Sequence, residues 1–115
     1  MTRGEVYWAD LSPRSGSEEQ GRRPVIIVSH DGLNRVPSWR SLVVVPISTS
    51  KAQARRGLTA VALAAGAEGL RKPCVALCHQ VTTLDRAKIG PRIGALSRES
   101  LAGIDSGLRF ALDLD

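Results

Sequence analysis

Aromatic residues are almost missing from this chain of 115 residues: Tyr7, Trp8, Trp39 and Phe110 make up 3% of it. Any core it builds is therefore Val, Leu, Ile and Ala. Cysteine is scarcer still. Cys74 and Cys78 are the only two, and on one strand positions four apart share a face but lie about 13 Å from each other, too far for a disulfide. They read as buried thiols of a reducing compartment. Histidine is equally rare, and His79 alone does not complete a zinc site around the two cysteines. No metal and no other cofactor is expected. No run approaches the roughly 18 apolar residues of a membrane span, and no apolar segment backs Met1–Glu5 as it would in a secretory signal. The expectation is a cytoplasmic chain without a membrane partner, folding as one domain over residues 1–115.

What is present is ordinary globular usage, 43% hydrophobic and 23% charged, with an excess of base: 16 Lys and Arg against 11 Asp and Glu, a net charge of +5. This excludes an acidic, chaperone-like surface and points to an anionic partner, most simply nucleic acid. The excess is uneven. Residues 41–72 hold Lys51, Arg55, Arg56, Arg71 and Lys72 against Glu68 alone, whereas the flanking thirds are nearly balanced.

The hydrophobic pattern predicts short strands followed by one helix. Gly4–Leu11 begins with alternation and β-formers; Pro24–Ser29 and Ser41–Ile47 are continuous apolar runs, the mark of strands buried on both faces. Pro46 should end the third of these or place it at an edge. Leu58–Leu63 is a weaker strand and Cys74–Val81 a further one. His30–Arg40 is a loop with at most one helical turn. Near the C-terminus the period changes. Leu101, Ile104, Leu108 and Leu112 form a helical stripe, with Ser97 as N-cap and Glu99 in the first turn, where the helix dipole favours it. Gly103 and Gly107 cost about 1 kcal/mol each inside a helix, which close approach to a neighbour would explain. Five or so short strands and one helix suggest a compact barrel or sandwich.

Ready-made catalytic motifs fail. Gly16 and Gly21 have P-loop spacing, but Arg22-Arg23 follow where Lys-Ser/Thr is required. There is no Gly-x-Ser-x-Gly, no His-Glu-x-x-His and no dinucleotide fingerprint. What remains is a cluster by position. Gly16–Pro24 packs Glu18, Glu19, Arg22 and Arg23 just ahead of a buried strand, a rigid place to hold a guanidinium that fits phosphate bidentately. Ser48-Thr49-Ser50 leaves the other buried strand with three hydroxyls. If the two strands are neighbours, an Arg and a hydroxyl converge on one phosphate. The plainer account is turn chemistry and surface charge.

Four segments in order resemble the MazF/PemK/Kid family of toxin endoribonucleases: Arg3–Leu11, Gly16–Ser29, Val43–Ile47 with the hydroxyl that follows, and Cys78–Arg86. The resemblance implies a mainly β fold, a small SH3-like, CcdB-related barrel of about five to seven strands with a C-terminal helix, acting as a homodimer. It implies metal-independent cleavage of single-stranded mRNA at short sequences, leaving a 2′,3′-cyclic phosphate and a 5′-hydroxyl. It also implies an antitoxin with an acidic, flexible tail that blocks the groove, and operon DNA bound only together with that antitoxin. Carried over by position, Arg23 is the catalytic arginine, Ser48 the catalytic hydroxyl (Thr49 if the register shifts by one) and Glu18 the loop glutamate. Gln80 lies near the RNA groove. Glu19 stands where Gln is common and Thr82 where Arg is common, which places the differences in specificity.

The chemistry expected is in-line attack by the ribose 2′-OH, with Arg23 stabilising charge on the phosphoryl oxygens and Ser48 holding an oxygen or assisting the leaving group. Arginine is a poor general base, so Glu18 is the candidate for proton removal, with an ion pair to Arg22 or Arg23 as its structural alternative. His79 titrates in the right range but reads as structural. Lys51, Arg55 and Arg56, together with Thr82 and Arg86, are expected on the RNA. The alternative class is a non-catalytic nucleic-acid binder or a gyrase-poisoning CcdB-like toxin, which relies on a C-terminal Trp that Phe110–Asp115 lacks.

Overall fold

The computed structural model describes residues 1–12, 16, 21–50, 52–55 and 57–115. Seven strands run β1 Glu5–Asp10, β2 Arg22–Ile27, β3 Ser41–Ser48, β4 Ala60–Leu63, β5 Cys74–Leu77, β6 Thr82–Asp85 and β7 Ile89–Ala95, with helices α1 Asp31–Asn34 and α2 Arg98–Leu112. All neighbouring strands are antiparallel, in the order β4-β5-β3-β2-β1-β7, and β6 is a third partner of β3.

Strand β3 organises the sheet. On one side it pairs with β2 through Val44, Val45 and Pro46. On the other it pairs first with β6 over Ser41–Val44 and then with β5 at Ile47 and Ser48. Pro46 therefore neither ends the strand nor marks an edge, as its missing N–H suggested. It falls where β6 has ended and β5 has not begun, so no ladder on that side is interrupted. Both faces of the central strands are covered. Val6, Ile26, Val45 and Ile47 pack with Ala76, Cys78 and Ile104 on the helix side, and Ala9, Val25, Ile27, Leu42, Val44 and Leu84 pack on the other. That double burial is why β2 and β3 read as continuous apolar runs. No aromatic ring is fully buried: Trp39 and Phe110 are exposed, Trp8 is half-buried, and half-buried Tyr7 packs against the second cluster.

Cys74 and Cys78 are free and buried, as expected, but Cys78 lies outside β5, in a 3₁₀ turn over Cys78–Gln80. Burial pushes the Cys78 thiol up to about 11, and burial followed by the nearby Glu68 raises Cys74. Neither is a thiolate nucleophile at neutral pH.

Helix α2 is capped as its sequence predicts: the Ser97 hydroxyl accepts from Ser100 N at 3.0 Å, and Glu99 sits in the first turn. The helix is tied to the start of β1 by Arg3, which meets Asp105 at 2.6 Å and donates to Val28 O at 2.9 Å. Ile104 is fully buried, with Leu101, Leu108 and Ala111 packed beside it. Leu112, the last member of the predicted stripe, is 51% exposed, because it is the final residue of the helix and lies beyond the residues that pack on the core. The two helical glycines separate clearly. A Cβ at Gly107 would meet Cys78 Sγ at 2.7 Å and Val61 Cγ2 at 2.9 Å, whereas one at Gly103 meets only Val61 Cγ1 at 3.4 Å. Gly107→Ala should cost about 1–3 kcal/mol by overpacking, while Gly103→Ala is neutral or gains up to about 1 kcal/mol of helix propensity. Thermal unfolding of the two variants checks this, and equal effects would refute the contact.

Candidate active site

The positions singled out in the sequence meet where β2 begins and β3 ends. Pro24 biases Arg23 toward extended backbone, so β2 opens directly with Arg22 and Arg23 as neighbours on a strand. The ladder pairs Val25 with Pro46. Alternation along each strand then sends Arg23 and Ser48 to the face of Val25 and Pro46, and Arg22 and Thr49 to the opposite face. The arginine and the hydroxyl matched by position thus project from the same side of the sheet.

The two hydroxyls differ in their surroundings. Ser48 is 4% exposed, and its Oγ accepts from Ser50 N at 3.1 Å, which engages a lone pair and leaves the hydroxyl proton to donate elsewhere. Thr49 is exposed. It lines a cavity of about 670 Å³ with Trp8, Arg22, Arg23, Pro24, Ile47, the 69–72 loop, Cys74 and residues 91–93. Inside this cavity the Arg22 guanidinium lies over the Trp8 ring, 4.4 Å from its centroid. Register explains the pairing: Trp8 stands opposite Pro24 and Asp10 opposite Arg22, so Trp8 and Arg22 are diagonal neighbours on one face. Arg92 also borders the cavity but is held by Glu5, 2.7 Å away. Burial raises the Glu5 carboxyl, and the hydrogen bonds and charge it receives, chiefly from Arg92, outweigh this and hold it below the usual range.

A family model described as PemK-like, MazF-like toxin of type II toxin-antitoxin system matches residues 2–112. The chain belongs to this family. The endoribonuclease EndoA of Bacillus subtilis (strain 168) is 34% identical over 114 residues, 99% of this chain and 96% of the relative. Among solved structures, Mycobacterium tuberculosis toxin MazF-mt6 matches with a TM-score of 0.79 at 25% identity, covering 96% of this chain and 98% of that one. A mycobacterial endoribonuclease in complex with its cognate antitoxin matches with a TM-score of 0.79 at 26% identity, covering 100% and 97%. The mainly β architecture with a C-terminal helix is thus that of the MazF toxins.

The remaining positions suggested by the MazF resemblance are spread more widely. Glu18, Lys51 and Arg56 lie outside the described residues. Arg55 closes an exposed 3₁₀ turn over Gln53–Arg55. Gln80 is half-buried at the end of the 78–80 turn, and half-buried Thr82 opens β6 opposite Val44. His79 is exposed, with Nδ1 3.4 Å from Thr59 Oγ1. Arg86 has a structural task. Its guanidinium donates to Trp39 O at 3.0 Å, Asn34 O at 3.1 Å and Val36 O at 3.2 Å, pinning the segment between α1 and β3. Sequence reasoning counted Arg71 and Lys72 in the basic excess of residues 41–72 but missed the Trp8–Arg22 stack beside them. The β1–β2 register carries that signal, and it is invisible until the strands are paired. No helix among the described residues is long and apolar enough to cross a membrane.

Proposed function

We propose that the chain is a metal-independent endoribonuclease that cleaves single-stranded RNA by in-line transesterification. The ribose 2′-oxygen attacks the adjacent phosphorus, the P–O5′ bond breaks, and the products carry a 2′,3′-cyclic phosphate and a 5′-hydroxyl. The observation that carries the reading is the projection of Arg23 and Ser48 from one sheet face, with Arg23 also bordering the cavity that Arg22, Arg71 and Lys72 line. Arg23 binds the non-bridging oxygens and stabilises the charge they gain in the transition state. Ser48, its lone pair engaged by Ser50 N–H, donates its proton to a phosphate oxygen. Glu18 is the base that takes the 2′-hydroxyl proton, and the leaving 5′-oxygen takes a proton from water. The working form is a cytoplasmic homodimer, and an antitoxin with an acidic flexible tail competes for the basic groove. Operon DNA is bound only with that antitoxin.

Incubating the purified protein with a defined single-stranded RNA in EDTA, then mapping the ends, tests this. Cyclic-phosphate and 5′-hydroxyl termini are expected. An intact RNA, or cleavage only after a divalent cation is restored, overturns it. The same outcome separates the enzyme from a CcdB-like binder.

Lys51, Arg55 and Arg56 contribute grip. Counterion release on single strands gives a slope in log affinity against log salt of about 0.7 per phosphate contact. Replacing all three with Gln should therefore flatten the slope by about 2. An unchanged slope removes them from the RNA.

A further inference from the structure

Two features of the cavity are not used by the cleavage chemistry. One is the Trp8–Arg22 stack. Trp8 is the single aromatic among the cavity's lining residues, and Arg22 covers its ring at 4.4 Å. The other is the Arg71–Lys72 pair, which also lines the cavity. Both residues are exposed, and neither has a carboxylate partner among the described residues. Arg92, by contrast, is occupied by Glu5. The lining also has an apolar part, formed by Pro24, Ile47, Leu70 and Ile93. A planar cationic platform, an apolar floor and two uncommitted cations ask for a ligand that is flat, aromatic and anionic at its margin. A volume of about 670 Å³ lies in the range of small-molecule sites and accommodates one nucleotide with its flanking phosphates.

We propose that this cavity is a nucleotide subsite that sets which base is accepted beside the cut. The base stacks on the free face of the Arg22 guanidinium, itself backed by Trp8, and the adjoining phosphate lies between Arg71 and Lys72. Arg23 borders the cavity but alternates to the Ser48 face, so the chain of the RNA passes over the start of β2, with the reacting phosphate on one side and the neighbouring base on the other. The adjacent arginines thereby divide the work: Arg23 acts on the reacting phosphate and Arg22 selects the base. The inference rests on the endoribonuclease reading above.

The test is cleavage of an RNA pool randomised around the cut, with end sequencing, by the full-length protein and by Arg22→Met, Trp8→Leu and the double variant Arg71→Gln/Lys72→Gln. Arg22→Met and Trp8→Leu should both relax base preference at one and the same position and lower kcat/KM on the preferred sequence about tenfold, the scale of one lost stacking interaction. An abasic ribonucleotide at that position should remove the difference between the protein and its Arg22 variant. Arg71→Gln/Lys72→Gln should weaken binding equally across sequences and reduce the salt slope. Because Trp8 is half-buried, Arg22→Met, at an exposed position, decides the matter if Trp8→Leu fails to fold. An unchanged preference profile in Arg22→Met overturns the subsite and leaves the endoribonuclease reading standing. So does a profile that stays unchanged while inhibition by an acidic peptide weakens, which would assign the cavity to a protein partner. Absence of cleavage by the unsubstituted protein overturns the function itself.

Discussion

Replacing Arg23 with Ala should lower single-turnover cleavage of an RNA with one scissile site by at least about a hundredfold, the usual loss when one preorganised charge-stabilising group is removed. The expectation follows from where the residue stands. Pro24 restricts the backbone of Arg23, the β1 ladder pairs Arg23 with Ala9, and Val25 is already fully buried. The guanidinium is thus carried by a strand start that does not have to reorganise as charge develops. Arg23→Lys keeps the charge but loses the planar fork that meets two phosphoryl oxygens at once, so it should recover only part of the rate. The hydroxyls follow the same logic. Ser48 shares the Arg23 face and Thr49 does not, so Ser48→Ala should cost more than Thr49→Ala. Ser48→Ala also removes the acceptor for Ser50 N–H, and Ser48→Thr, which keeps that acceptor, should retain activity. Full activity in Arg23→Ala sinks the catalytic scheme. A larger loss in Thr49→Ala than in Ser48→Ala moves the reacting phosphate to the cavity face.

The parts of this arrangement that were legible in the sequence are those set by local pattern. Strands β1, β2 and β3 announced themselves through alternation or unbroken apolar runs, and α2 through its period and its Ser97 cap. The parts that were not legible are set by pairing. Strand β7 contains Gly90, Pro91 and Gly94, residues depleted in strands, and it is tolerated because it lies at the sheet edge, where a missing N–H is affordable. Strand β6 is four residues long, and its partner is the half of β3 that β5 leaves vacant. The same division holds in the site. Local pattern singled out Arg22-Arg23 and Ser48-Thr49-Ser50, and the family resemblance pointed to Arg23 and Ser48 among them. Which arginine faces which hydroxyl needed the Val25–Pro46 pair. Arg86 matched the family's groove by position, yet three backbone carbonyls hold its guanidinium. A sequence motif records a residue's neighbours along the chain and not those across it.

The largest loss of stability is expected from Gly69→Ala and Gly94→Ala, which probe how β7 is held against the cavity wall. A Cβ on Gly94 would stand 2.3 Å from Glu68 O and 2.8 Å from its carbonyl carbon; one on Gly69 would stand 2.5 Å from Ile93 O. These obstacles are backbone atoms, which cannot rotate aside, so each substitution must push the 67–70 turn off β7. Gly69 adds a second penalty, since its φ of +85 is strained for any residue with a Cβ. The turn has no slack to absorb the shift. Glu68 already sits at φ 58, and its Oε1 accepts from Ser97 N, the N-cap of α2, at 3.1 Å. Movement here therefore reaches the helix as well as the Leu70–Lys72 wall. Each variant should lose about 3 kcal/mol or more, beyond the usual overpacking cost, or about 10 °C in Tm for a domain of this size. Gly66→Ala is the internal control. Its φ of +82 carries the same backbone strain, but nothing lies within 4 Å of the added carbon, so it should lose only about 1–2 kcal/mol. Thermal unfolding of the three variants separates strain from collision: if Gly69→Ala costs no more than Gly66→Ala, the close seating of the turn on β7 is wrong, and with it the rigid wall on which Arg71 and Lys72 are mounted.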